Sequence, residues 1–357
     1  MMTFIIGQKH MNLPRLMAVF AFSAIGLGSC GNISFPSVAQ TQPANKTFGD
    51  WCRKKASLSP ETKHTVEVLL KQAETTDCDV ANQRLSSLTE LNLSENEISD
   101  IQPLQSLTNL TKLLAQKNQI SDIKPLQSLT KLTNLGLYNN RIGDIQPLES
   151  LINLTQLGLE NNQISDIKPL QSLTSLTQLR LDSNQIIDIK PLQSLTNLTV
   201  LNLINNKISD MKPLQSLTQL TNLLLYSNQI SDIKPLQSLT QLIALGLSNN
   251  KISDIKPLHS LTQLEWLELN DNQISDIRPL QSLTKVTALI LRNNQISDIK
   301  PLQSLTPLES LELNDNKISD IKPLQFLTKL TYLFLSGNLI APKTCPLKPE
   351  SICRWEP

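Results

Sequence analysis

Aromatic side chains are scarce in this 357-residue chain, 4% of the total against a hydrophobic content of 39%, so its core must be aliphatic and thin. Net charge is nearly missing as well: 32 basic and 31 acidic residues leave +1. That excludes the basic field on which nucleic-acid binding depends, and no run of one sign marks a charged tail. Histidine occurs three times, at His10, His64 and His259. None stands near a plausible nucleophile, so Ser/His or Cys/His catalysis has no parts. Zinc-ligand spacing, a phosphate loop and a dinucleotide fingerprint are all missing. These absences point away from an enzyme, and toward a protein with no cofactor, no metal and no nucleic-acid partner.

Long apolar runs are missing too, except from Leu16 to Leu27, behind Lys9, His10 and Arg15. That run is too short to span a bilayer and has the length of a signal core, so residues 1–39 read as an export signal, with Met11 as an alternative start. Two cleavage sites compete. Ser37-Val38-Ala39 before Gln40 fits the small-x-small rule. Leu27-Gly28-Ser29-Cys30 resembles a bacterial lipobox; the signal would then be residues 1–29, and a lipid on Cys30 would be the membrane attachment. Residues 40–47 read as a linker. Either cleavage leaves Cys52, Cys78, Cys345 and Cys353, and an even count in an exported chain reads as two disulfides.

Repetition is what the chain has in abundance. The phrase Ile-Ser-Asp-Ile-Lys-Pro-Leu-Gln-Ser-Leu-Thr begins unchanged at Ile120, Ile164, Ile230 and Ile296. Twelve asparagines, from Asn96 to Asn338, keep a 22-residue phase without an insertion. All but Asn118 follow Leu-x-Leu, and all but Asn338 precede Ile, Asp, Pro-Leu and a closing Leu. This is the leucine-rich repeat, and the expected fold is an α/β solenoid: a right-handed superhelix with a concave parallel sheet and convex turns of 3-10 helix and loop. Leu-x-Leu is a short strand with leucines inward. The Asn, both donor and acceptor, satisfies buried backbone in a turn, and stacked turns make a ladder of such side chains. Pro suits the first position of a helical turn, and an Asp three residues earlier, such as Asp122 before Pro125, can accept from the turn's free amides. The Asp column and the mostly Lys/Arg column two residues on read as a solvated, locally neutralised surface.

An open array needs caps. Residues 48–88 form a helical N-terminal cap: Ser59-Pro60-Glu61 starts a helix whose Val66, Leu69, Leu70 and Ala73 share one face. Twelve repeats fill 89–340, and 341–357 form a short C-terminal cap. Twelve strands ~4.8 Å apart make a sheet on the order of 50 Å long. Cysteines of opposite caps therefore cannot meet within the ~7 Å that a disulfide allows, which leaves Cys52–Cys78 and Cys345–Cys353.

Residues 85–340 resemble the 22-residue repeat of bacterial internalin-type proteins. The flanks, FGDWCRKKASLSPETKHTVEVLL and TCPLKPESIC, resemble those of secreted cyanobacterial leucine-rich repeat proteins. The resemblance implies binding of a protein through the concave face, although no cell-wall anchoring motif follows the repeats.

Three strand columns, at six, four and two residues before each Asn, project onto that face and vary freely while the convex phrase is copied. The ends are polar (Glu90, Asn92 and Ser94; Ser310, Glu312 and Asn314). The middle carries Val200, Ile204, Leu224, Tyr226, Trp266 and Ile290, bordered by Arg180, Asp182, Glu268 and Arg292, with Gly136, Gly158 and Gly246 leaving hollows. An apolar patch rimmed by charge, with aromatic and Arg anchors, marks a site for a protein or peptide; the bland alternative is drift on an unselected surface. Asn270-Asp271-Asn272 and Asn314-Asp315-Asn316 are weak calcium signals, and Asn109, Asn153 and Asn197 match a glycosylation tripeptide that the repeat produces by construction. The expectation is an exported, monomeric binding scaffold in the periplasm, outer envelope or medium. The rivals are a structural envelope or matrix component without a ligand, and an intracellular repeat protein similar to phosphatase-regulatory subunits.

Overall fold

The computed structural model describes residues 46–356; the segment expected to be an export signal, Cys30 included, lies outside the described residues. Each 22-residue unit forms one coil. A three-residue strand is centred on the first leucine of its Leu-x-Leu segment, from β1 (Glu90–Asn92) through β12 (Tyr332–Phe334), and all pair parallel in chain order. Pairing is in register at the repeat period, as in Leu223 beside Leu245 and Leu245 beside Leu267. The inward Leu and Ile of every coil are buried in one continuous aliphatic core.

The copied phrase bonds each coil to the next. Asn206 Oδ1 accepts from the Ile186 amide (3.0 Å), and its Nδ2 faces the carbonyls of Leu181 (3.0 Å), Leu203 and Ile204 (both 3.2 Å). Two further ladders run alongside it: Ser194 Oγ donates to the Gln171 carbonyl (2.8 Å), and Thr199 Oγ1 to the Thr177 carbonyl (3.1 Å). Asp122 Oδ1 accepts from the Lys124 amide (2.8 Å), as the Asp column requires. One detail differs: Pro125 is the second residue of the 3-10 turn Lys124–Ser128, because Lys124 takes the first place and uses its amide on Asp122.

The residue just before each ladder Asn is left-handed, with φ running from 49° at Asn293 to 68° at Gly337. Asn and Asp tolerate that region best among residues with a Cβ, which explains Asn139, Asn161, Asn205, Asn249, Asp271 and Asp315 there. The same turn gives the Asn-Asp-Asn triplets a structural role. Asp271 is a turn residue accepting from Asn293 Nδ2 (2.7 Å), and Asn272 and Asn316 are rungs of the ladder.

The N-terminal cap has three helices, α1 (Phe48–Arg53), α2 (Pro60–Gln72) and α3 (Cys78–Ser87), capped by Thr47, Ser59 and Asp77. Val66, Leu69, Leu70 and Ala73 are buried as their spacing requires. On the first coil, His64 Nε2 donates to the Asn96 carbonyl (2.6 Å) and Thr65 Oγ1 to the Asp100 carbonyl (2.6 Å). Cys52–Cys78 ties α1 to α3, with Cα atoms 5.5 Å apart. Cys345–Cys353 closes the other end, with Cα atoms 5.7 Å apart. There the sheet gains a thirteenth strand, β13 (Cys353–Arg354), beyond the twelve that the repeats supply. Cys353 pairs with Leu333 and takes the inward place that leucine holds elsewhere.

Candidate interaction face

The parallel register lines up the variable residues in rows across the sheet. One row runs Asn202, Leu224, Gly246, Glu268, Ile290, Glu312, Phe334, Arg354. A second runs Val200, Asn222, Ala244, Trp266, Ala288, Ser310, Tyr332. Val200, Ile204, Leu224, Trp266 and Ile290 are half-buried on this face, and Arg292 is exposed.

The centre of the patch is built from the seventh to ninth repeats. The Tyr226 ring crosses from its own coil over Gly246 in the next one and meets Trp266 edge-on, ring centroids 6.2 Å apart at 88°. That arrangement suits the quadrupoles of two aromatic rings. Tyr226 therefore does not stand free. Its hydroxyl is enclosed, faces the Glu268 carboxylate without the geometry of a formed hydrogen bond, and is pushed up in pKa by burial and then by that negative charge.

The three glycine hollows that the sequence reading left open are occupied. Gln116 reaches over Gly136, Glu160 over Gly158 and Tyr226 over Gly246. A side chain two residues before the ladder Asn is long enough to fold back across a neighbouring glycine, which pattern reasoning on single columns cannot show. Each filling side chain keeps one enclosed polar atom, Gln116 Oε1, Glu160 Oε2 and Tyr226 Oη, without a hydrogen-bond partner in the protein. Arg180 Nη1 is 3.7 Å from Glu160 Oε1, and Asn202 Nδ2 donates to Asp182 Oδ1 (2.8 Å). Burial raises the carboxyl pKa values of Glu160, Asp182, Glu268 and Glu312.

The C-terminal end departs from the expected polar finish. Tyr332 and Phe334 project from the last repeat, and the Arg354 guanidinium of the cap lies 5.9 and 5.5 Å from their ring centroids. Both positions belong to the variable columns and were legible there; the cation above them arrives only with β13.

Elsewhere the chain offers scaffold. Grooves of up to about 840 Å³ lie between successive convex turns and are lined mainly by the copied Ser, Asp, Lys and Gln columns. Asn153 and Asn197 donate to carbonyls of the preceding coil, and Asn109 to the Ser86 carbonyl in α3 of the cap. His259 Nδ1 meets the Lys256 carbonyl (2.8 Å). Among the described residues no group of His, Cys, Asp or Glu is arranged to hold a metal ion, and no helix is long and apolar enough to cross a membrane.

Family comparison agrees with this geometry. The family model described as "Leucine Rich repeats (2 copies)" matches residues 86–128, 130–172, 174–216, 218–260 and 262–304, and a second, "Leucine rich repeat", matches 284–340. The chain belongs to the leucine-rich repeat family. Its repeats are of internalin type: an internalin (InlF) from Listeria monocytogenes is 36% identical, with a TM-score of 0.71 over 89% of this chain and 98% of that one. Internalin C2 from the same organism is 32% identical, with a TM-score of 0.51 over 66% of this chain and 96% of that one. A plant peptide hormone receptor, RGFR1, solved in complex with RGF2, shares the fold at 22% identity, with a TM-score of 0.58 over 71% of this chain and 49% of that one. Comparison with curated protein sequences gives no match. Leucine-rich repeat solenoids typically serve as binding scaffolds, using the extended face that stacked repeats create. The two closed disulfides fit an oxidising compartment.

Proposed function

We propose that this chain is an exported, non-enzymatic, monomeric recognition scaffold that holds a protein or peptide on its sheet face. The observation that carries the reading is the Tyr226–Trp266 pair, set edge to face over Gly246 and flanked by Leu224 and Ile290. The ladders and the core do not require aromatic residues at these positions, since other coils close without them. Half-buried aromatics inside an apolar patch are the usual energetic centre of a protein interface. The receptor solved with RGF2 supports the reading by fold analogy alone. Export draws on the apolar N-terminal run and on the paired cysteines.

The test is capture from an envelope extract with the wild-type chain and a Leu224→Ser/Trp266→Ser/Ile290→Ser variant. The variant should keep its circular dichroism and lose the captured partner. Tyr226 is left intact, because its ring packs on the sheet. Equal capture by both would favour the rival, a matrix component in which the face has no ligand.

A further inference from the structure

We propose that the partner is a basic polypeptide segment in a polyproline II-like conformation, whose Lys or Arg side chains, about 10 Å apart on one side, enter beside Trp266 and over the row Glu268–Ile290–Glu312. The inference rests on the sheet-face reading above and adds the chemistry of what docks there.

Charge on the sheet face is segregated along its length. Toward the N-terminal end carboxylates have cations: Glu90 with Lys112 (3.2 Å), Glu95 with Lys117 (2.6 Å) and Glu160 with Arg180 (3.7 Å). Toward the other end stand Glu265, Glu268, Asp271, Glu309, Glu312 and Asp315. Arg292 is the cation among them, and its Nε lies 3.4 Å from Asp315; the next, Arg354, stands two strands beyond Glu312, over Tyr332 and Phe334. Among the described residues, none of Glu265, Glu268, Glu309 and Glu312 has an ion-pair partner. The near-neutral balance of the whole chain conceals this local excess.

Glu268 and Glu312 are half-buried, and burial outweighs what the Tyr226 hydroxyl gives the first and the Arg292 charge gives the second. A half-desolvated carboxylate that lacks a close ion pair costs free energy that a neutral side chain would not. Ile290 pairs with Glu268 on one side and Glu312 on the other, so the two carboxylates are two strands apart, about 10 Å. One turn of a polyproline II-like segment, three residues, covers about the same distance and brings every third side chain back to the same side. A lysine or arginine stem can lie on Ile290 while its charged end reaches a carboxylate. The half-buried Trp266 ring, one strand row away, offers its π-system to a cation. An acidic partner or a nucleic acid would be repelled, and no metal cluster exists among the described residues to claim these carboxylates.

Fluorescence anisotropy with three labelled peptides tests this: four Lys-Gly-Leu units, and the same sequence with Glu or Gln in place of Lys. The Lys peptide should bind at least about tenfold tighter than the others and weaken as salt rises. Glu268→Gln/Glu312→Gln should cost about tenfold, and Glu149→Gln, an exposed carboxylate on a convex turn, should cost nothing. No binding of the Lys peptide, equal binding of all three, or indifference to the double variant would overturn the inference. In those cases, loss of envelope capture in the Leu224/Trp266/Ile290 variant would leave the sheet-face reading standing; retained capture would remove both.

Discussion

The Tyr226 ring lies against Gly246 so closely that a methyl group on that glycine would come within 2.2 Å of the ring's Cζ. Replacement by alanine must therefore expel the ring. We expect Gly246→Ala to cost ~1–3 kcal/mol, the usual range for overpacking, and to shift the fluorescence of Trp266 as its partner leaves. Gly143→Ala is the control, because the nearest atom to its added methyl is 3.9 Å away. Equal behaviour of the two variants in thermal melts would mean that Tyr226 is not seated as described.

The asparagine ladder predicts a position-independent role inside the array. Asn206→Ala leaves the Ile186 amide and the facing carbonyls without their partner. The expected cost is ~1–3 kcal/mol, read by denaturant unfolding. The ladder residue Asn250 should cost the same when replaced, because its contacts are the same to within 0.2 Å.

Four carboxyls on the sheet face give a pH signature. Burial holds Glu160, Asp182, Glu268 and Glu312 above the ordinary carboxylate range. A raised carboxyl opposes folding once ionised; the penalty is full above its folded pKa and gone below its unfolded value near ~4. Glu268→Gln should therefore raise the melting temperature at neutral pH, and the gain should fade as pH falls toward ~4. Asp276 behaves oppositely. The Arg278 guanidinium holds its carboxyl at about 2, so its contribution is present above the ordinary value and lost as pH falls toward that figure. A gain for Glu268→Gln that is independent of pH would contradict this account.

Reduction should fray the ends first. Cys52–Cys78 and Cys345–Cys353 close short loops, worth about 3.5 and about 2.5 kcal/mol by chain entropy. Hydrogen exchange under reductant should show early loss at α1, α3 and β13, with the middle coils unaffected. A melting curve indifferent to reductant would reject a capping role for the disulfides.

Sequence alone disclosed the coil, because Asn, Leu-x-Leu and Asp-x-x-Pro recur with fixed phase and each has one physical task per turn. It disclosed the disulfide pairing for the same reason, since the repeat count sets a distance that cysteines of opposite caps cannot cross. It did not disclose the seat of Tyr226. Columns show which side a residue faces, whereas folding back over Gly246 depends on a side chain's length and on the gap in the next coil. The lone carboxylates of the last repeats were hidden for a related reason: pairing such as Glu95 with Lys117 joins residues 22 apart, so an unpaired Glu312 becomes visible only once its neighbours are known. Strand β13 was missed because Cys353 replaces the leucine that marks every other strand.

The central claim is that partners meet the sheet and not the turns. A photo-crosslinking amino acid placed at Ala288, between Trp266 and Ser310 on the sheet face, measures it directly when compared with the same group at Gln193, exposed on a convex turn. The account predicts adducts with an envelope protein from Ala288 and none from Gln193. Adducts from Gln193 alone, or in equal yield from both, would contradict it.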